Sequence, residues 1–456
     1  MNASTHAENA ANDIAAHLHP FTNLATHPQL GPLVIQRGDG IFVEDDQGRR
    51  YLEAMSGLWC ASLGFSNARL ARAGSEALHG LPYYHTFNGR SNPAAIALAE
   101  KLLALAPVPM SKVFFANSGS EANDSAVKLV WYYHNAIGKP GKKKIIARRN
   151  AYHGVTVAAS SLSGLVPNHR DFDLPIDRIL HVDCPHHFRY AEAGESEEDF
   201  ATRLAAALEQ RILDEGPETV GAFIAEPVMG AGGVLVPPAT YFDKVQKVLA
   251  KYEVLLIADE VICGFGRTGA MFGSITFGLV PDILTAAKAL SSGYVPISAV
   301  MVNEKVHAAV AANSGKIGTF GHGFTYSGHP VACAIALETL KVYEDENIVA
   351  HVQSLAPQFQ QGLRSHAGRK YVGEVRGVGL IGAIELYADP AKRTPFDPAQ
   401  KAGARLAELA LAQGLIVRAM GDSVAFCPPL IITAEQIDDM FARFGRAMAV
   451  FEETFA

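Results

Sequence analysis

Between about residues 70 and 310, short unbroken apolar runs alternate with stretches of helical period. KVFFA (112–116), KIIAR (144–148), GAFIAEP (221–227) and EVLLIAD (253–259) are the clearest runs. Apolar segments this short suit strands buried on both faces, the condition of a mostly parallel sheet covered by helices. The segments between them are amphipathic. Ser196 is a good N-cap with acidic residues behind it, and Phe200, Leu204, Leu208 and Ile212 recur at four-residue spacing. The pattern predicts an α/β protein. Residues 33–63, which contain IFVEDDQGRRYLEAM, read as a hairpin region. From about 331, helices mix with EVRGVGLIGAIEL (374–386) and GLIVRAMGDSVAFCPPL (414–430), as in a smaller α+β domain. The expected division is an N-terminal segment (1–69) packing with the small domain, a large domain (70–330) and a C-terminal small domain (331–456).

The 456 residues are enough for two or three domains, and 49% of them are apolar. The 39 basic and 46 acidic residues leave a net charge of −7, which argues against non-specific binding to nucleic acid or anionic membrane. Five scattered cysteines with no C-x-x-C suit free thiols in a reducing compartment. No apolar run approaches the roughly 20 residues of a membrane span. The expectation is a soluble cytoplasmic protein.

Three motifs carry chemistry. In KVFFANSGSEAN (112–123) a strand runs through small residues at 118–120 into a helix. Unpaired N–H groups at such a helix start favour an anion, phosphate being the natural guest, although a plain turn with a serine N-cap would look the same. In EVLLIADEV (253–261), Asp259 ends a central strand, where ligands of open α/β sheets gather. A buried carboxylate needs a cationic partner, either Arg267 or a protonated pyridine nitrogen. In PDILTAAKALSSGYVPISAV (281–300), Lys288 sits among small and apolar residues. It reads either as a desolvated amine able to form a Schiff base or as a lysine snorkelling from a strand end. GFGRTG (264–269) matches G-x-G-x-x-G, but it starts five residues beyond Asp259 and AMFGSITFG follows without a helical period, so dinucleotide binding is not expected. His17 with His19, and CPHH at 184–187, lack further metal ligands in the sequence and read as surface or turn histidines, so no metal is expected.

A phosphate-binding helix start, a strand-end aspartate and a lysine in one α/β domain suit pyridoxal-phosphate (PLP) chemistry. With LLIADEVICGFGRTG and PDILTAAKALSSG beside NSGSEAN and AYHG, nearly the whole chain resembles the class III (ω-amino acid) aminotransferases of PLP fold type I. The resemblance implies catalytic roles for Lys288, as Schiff-base lysine and proton shuttle, and Asp259, as partner of the ring nitrogen. It implies that Ser118, Gly119 and Ser120 form the phosphate cup, that Tyr152 and Val261 pack on the two ring faces, and that His153 and Glu226 lie near the cofactor. In HGFTYSGHP (322–330), it implies that Phe324 and Thr325 belong to the cofactor site, Thr325 reaching the phosphate of a neighbouring subunit. A homodimer with shared active sites follows, with tetramers left open.

Two departures narrow the implied reaction. Members using glutamate or 2-oxoglutarate often carry E-P-x-x-G-E and an arginine before PPL; here those positions are Ala231 and Ala425. Arg418, in LIVRAMGD, instead resembles the mobile arginine of the pyruvate-using branch, and Phe21, Leu58, Trp59 and Phe87 resemble its substrate pocket. The residue that often contacts the ring hydroxyl, a glutamine, is Ile262. The implied activity is ping-pong transfer of an amino group from an ω-amino acid or amine to pyruvate, giving alanine. A 2-oxoglutarate-using relative, and a decarboxylase or aminomutase of the same fold, stay open as alternatives.

Overall fold

The computed structural model describes residues 5–455; residues 1–4 of the expected first segment and residue 456 of the last lie outside it. Its main sheet has seven strands, in the order Lys112–Ala116, Ser298–Val302, Ile283–Ala286, Leu255–Asp259, Val220–Ala225, Lys144–Arg148, Ile179–Val182. Only Ser298–Val302 runs against its neighbours, so the sheet is mostly parallel as expected. The strand Ile179–Val182 is not evident in the sequence. It lies at the sheet edge, is only partly buried, and so carries no unbroken apolar run.

Strand side chains alternate between two cores. Ile145, Ala147, Ile224 and Ile257 pack with Ala122, Ala126 and Val130 of the helix Gly119–Ala136. Ile146, Phe223, Leu256 and Leu284 face the opposite side, with the helices Glu197–Glu215 and Tyr241–Lys251. Phe200, Leu204, Leu208 and Ile212 are all buried there, each stabilising the layer by roughly 1.5–3 kcal/mol. The Ser196 hydroxyl caps that helix by accepting from the Asp199 N–H.

Two four-stranded sheets complete the fold. Ile35–Asp39, Phe42–Asp45 and Arg50–Glu53 form the anticipated hairpins, and Arg50–Glu53 also pairs with Leu415–Ile416 near the other end of the chain. Val372–Val378, Ile381–Leu386, Ser423–Phe426 and Arg418–Met420 form the last sheet. We propose the division at 70 and 330 with these pairings in support. The helix Pro330–Asp345, although past the second boundary, packs on the helices Ala68–Gly80 and Pro93–Leu105. Among the described residues, no helix is long and apolar enough to cross a membrane.

Candidate active site

A cavity of about 780 Å³ opens where the parallel strands end. Asn117–Ser120 follow one strand into it, Asn150 and Tyr152–Gly154 another, and Glu226, Asp259 and Ala287–Lys288 three more. Trp59, Phe21 and Leu58 come from the N-terminal segment, and Arg418–Gly421 from the last sheet.

Register explains how Asp259 is held. It lies two residues beyond Ile257 and so faces the helix Gly119–Ala136. From that helix the Asn123 amide donates to Asp259 Oδ2 at 2.8 Å and to the His153 carbonyl at 2.7 Å. Thr285, on the adjacent strand, donates to Asn123 Oδ1 at 2.9 Å and fixes the amide's orientation. His153 Nδ1 lies 2.7 Å from Asp259 Oδ2, and since a carboxylate only accepts, that nitrogen carries the hydrogen. The Val261 N–H donates to Oδ1 at 3.0 Å. Arg267 is not the partner: its guanidinium donates to the Leu380 and Pro428 carbonyls and to the Ser56 hydroxyl. Asp259 is therefore a buried carboxylate, 3% exposed, with three N–H donors, and among the described residues no lysine or arginine pairs with it.

Lys288 begins a short 3-10 turn directly after the strand Ile283–Ala286, with φ +47°, a left-handed conformation that side-chain-bearing residues adopt at a cost. It is half-buried rather than fully desolvated, because it stands on the cavity wall and not within the strand. Among the described residues, none forms a hydrogen bond or ion pair with its ammonium.

Ser118 caps the helix Gly119–Ala136, its hydroxyl accepting from the Glu121 N–H at 3.2 Å. Among the described residues, nothing accepts from the N–H groups of Gly119 and Ser120, which leaves them to an anion. A Cβ on Gly119 would stand 3.1 Å from Val261, so the backbone is closely packed behind the cup. The Ser120 hydroxyl accepts from the Val155 N–H at 3.0 Å. Glu226 is wholly buried, accepts from the Tyr152 and Gly230 N–H groups at 3.0 Å each, and has its pKa raised by that burial. Tyr152 is likewise pushed up by burial, with the positive charge of Arg418 opposing.

These features form a donor set for PLP. The free helix N–H groups suit its phosphate, the Asp259 carboxylate its ring nitrogen, and the unpartnered Lys288 amine its aldehyde carbon.

The substrate side is less uniform. Phe21 is 70% exposed and meets Tyr152 edge-on at 6.5 Å, Leu58 is 55% exposed, and Trp59 is 3% exposed. Ala231 and Ile262 line the cavity, and Ile262 packs so closely over Gly230 that a Cβ there would meet it at 2.4 Å. Arg418 lines the same wall, its pKa lowered by burial with Tyr152 opposing, and no described carboxylate pairs with it. It lies opposite Ala425 in the strand pair Arg418–Met420 and Ser423–Phe426. Three residues are not brought to this cavity. Phe87 packs against Gly323, and Phe324 and the exposed Thr325 lie beside it; Tyr83 donates to the Thr325 carbonyl at 2.9 Å. Phe87 is thus no wall of its own chain's pocket.

Asn123 and Thr285 are not evident in the sequence; Thr285 is a lone polar residue in an apolar run, and Asn123 is one of several polar residues at the start of its helix. GFGRTG, by contrast, precedes a helix after all, Gly273–Phe277, too short to show a period. Its first N–H groups, those of Gly273 and Ser274, donate to Glu260 at 2.9 and 2.5 Å, so a carboxylate already occupies the anion position.

Burial lifts the Glu260 carboxyl from 4.5 to about 7. The folded protein thus keeps a proton there that the unfolded chain releases. The stability this group contributes is full below about pH 4.5 and is lost as pH rises through about 7. Relative to the native protein, Glu260→Gln is expected to gain of order 3 kcal/mol between pH 4.5 and 8. Urea unfolding of both proteins at several pH values checks this, and a difference independent of pH would refute it.

Fold and site together define a PLP-dependent enzyme of fold type I. Residues 24–448 match the family model for class-III aminotransferases. The chain belongs to that family, and its cofactor is PLP. Gamma-aminobutyrate transaminase 1, mitochondrial, from Oryza sativa subsp. indica is 51% identical over 440 residues, 96% of this chain and 85% of that protein. The omega transaminase from Pseudomonas jessenii, solved in complex with PMP, is 55% identical, covers 98% of each chain and superposes with a TM-score of 0.97. A transaminase solved with L-alanine is 57% identical over 93% of this chain and all of that one, with a TM-score of 0.92.

Proposed function

We propose that this aminotransferase moves an amino group from an ω-amino acid or primary amine to pyruvate, releasing alanine. The observation that carries the reading is Arg418, a cavity guanidinium with no carboxylate partner among the described residues, in a cavity also lined by Ala231, where a glutamate would pair with a second arginine. Position 425, directly across the strands, is alanine, and Arg189 on the same wall is paired with Glu385, so one arginine is left for a ligand, which suits an acceptor with one carboxylate. The relative solved with L-alanine and the gamma-aminobutyrate transaminases support the acceptor and the donor class in turn.

When bound, PLP supplies an electron sink for the pair left on the donor carbon. Asp259 holds the proton on the ring nitrogen, itself held in line by Asn123, His153 and the Val261 N–H. Gly119 and Ser120 bind the phosphate through their N–H groups. Tyr152 and Val261 confine the ring from its two faces. Lys288 Nζ would take the proton from the amine-bearing carbon as a base and return it as an acid. Arg418 grips the acceptor's carboxylate, and Phe21, Leu58 and Trp59 give an apolar wall for the donor. Phe87 packs on Gly323, next in the chain to Phe324 and Thr325, and on this reading these residues serve the site of a second copy in a homodimer. Five free cysteines support a reducing compartment, the cytoplasm on this reading.

The test is a two-acceptor assay with 4-aminobutyrate and an arylalkylamine as donors. Alanine from pyruvate is expected to form at least about tenfold faster than glutamate from 2-oxoglutarate; the reverse order overturns the acceptor assignment. In Arg418→Ala the KM for pyruvate is expected to rise roughly 10–100-fold, the worth of a charge-assisted pair, while the KM for a carboxylate-free amine stays level.

A further inference from the structure

The helix His6–Ala16 ends at His17, and the chain then turns through Phe21 into the short helix His27–Leu30. That turn gathers three imidazoles around one carboxylate. His19 Nε2 and His27 Nε2 stand 2.7 and 3.2 Å from Asp13 Oδ2, and His17 Nδ1 stands 3.3 Å from Asp13 Oδ1. The rings follow one another at centroid distances of 4.2 and 4.4 Å. The ligand atoms of Asp13, His17 and His19 all lie within 4.8 Å of one another. His17 is exposed while the other three are half-buried, so an ion has a path in from solvent. No lysine or arginine pairs with Asp13 among the described residues.

A second cluster of metal-ligating side chains, His186 with Glu374 and Glu385, differs on this last point. Arg376 bridges its two carboxylates and Arg189 pairs with Glu385, so guanidinium groups already fill it. Among the described residues, the N-terminal cluster has no such cation.

We propose that Asp13, His17, His19 and His27 form a binding site for a divalent transition metal of the zinc type. Three imidazole nitrogens and one carboxylate oxygen make a tetrahedral set that suits zinc or cobalt. On loading, each ring turns a lone pair to the ion and moves its N–H to the other nitrogen, and the three contacts to Asp13 give way to metal bonds of roughly 2.0–2.2 Å. The sequence alone supplied only His17 and His19; the turn adds His27, and the helix adds Asp13 one turn back. Phe21 lies inside the fastened segment and meets Tyr152 edge-on, so the ion braces one wall of the cavity. That consequence rests on the pocket role proposed for Phe21, whereas the metal site itself does not.

The experiment is titration of tag-free, chelator-washed holoenzyme with cobalt(II). It is expected to bind one ion per chain, with the intense visible absorption of a four-coordinate site, to the red of the cofactor's own band. His19→Ala/His27→Ala is expected to weaken binding by about 100-fold or more, since loss of even an outer partner costs 10–100-fold. Exposed His17→Ala, which leaves the fold's packing untouched, is expected to change the spectrum alone, and His79→Ala to leave it as it was. Absence of saturable absorption overturns the proposal. So does a signal that survives the double variant, or one that moves with His186→Ala.

Discussion

In Lys288→Ala, alanine formation from pyruvate and an amine is expected to fall by about a thousandfold or more, with the fold and cofactor retention intact. The magnitude is what positioned acid–base catalysis commonly contributes, roughly 10²–10⁴-fold, joined to loss of the covalent anchor. The other basic side chains on the cavity wall cannot take over. His153 Nδ1 is committed to Asp259, Arg189 to Glu385, and the guanidinium of Arg418 stays protonated. The left-handed backbone at 288 is unchanged by the substitution, because alanine meets the same restriction as lysine there. A small primary amine such as methylamine should restore part of the rate, which a merely structural lysine would not allow. Steady turnover within tenfold of the native protein, without added amine, would remove Lys288 from the mechanism.

How the site was legible in the sequence differs from residue to residue. The main sheet was readable wherever both faces of a strand are buried, since Ile145–Ala147, Phe223–Ala225 and Leu255–Ala258 leave no room for a polar side chain. The edge strand Ile179–Val182 has no such constraint and was missed. Asp259 and Lys288 stand out in the sequence because each is a charge in an apolar setting, while the roles assigned to them come from the family resemblance. Lys288, two residues past the end of its strand, is half-buried on the cavity wall, between the desolvated and the snorkelling readings. The protein groups that donate to Asp259 are not legible in the sequence. Arg267 is eight residues away in sequence yet donates to carbonyls at 380 and 428, while Asn123, at 136 positions' distance, donates to the carboxylate. Such pairings are set by how the helix Gly119–Ala136 crosses the sheet, which no local pattern encodes. The same holds at the N-terminus, where His27 and Asp13 meet only through a turn. Phe87 packs against Gly323 and does not line its own chain's cavity, a placement that no local pattern encodes.

Asp259→Ala is expected to lower kcat by about a hundred- to ten-thousandfold while PLP still binds through Lys288 and the Gly119–Ser120 N–H groups. On the proposed reading the carboxylate's task is electrostatic: its charge would keep a proton on the ring nitrogen, and that positive charge would draw the electron pair from the donor carbon. The structure invests heavily in that one group. Three N–H donors converge on it, and Thr285 orients the Asn123 amide that supplies one of them. Removing the carboxylate leaves the Asn123 and His153 donors buried without an acceptor, so some loss of stability, about 1–3 kcal/mol, should accompany the loss of rate. Two measurements separate the effects. Thr285→Val disturbs the same network without removing the charge, and should cost stability with a much smaller change in kcat. Reconstitution of Asp259→Ala with a cofactor analogue methylated at the ring nitrogen supplies a permanent positive charge in the space the side chain vacates. If Asp259 acts through that charge, the analogue raises kcat well above that of the variant with PLP. If it acts only by packing, the analogue gives no gain, and the assignment of Asp259 as partner of the ring nitrogen fails.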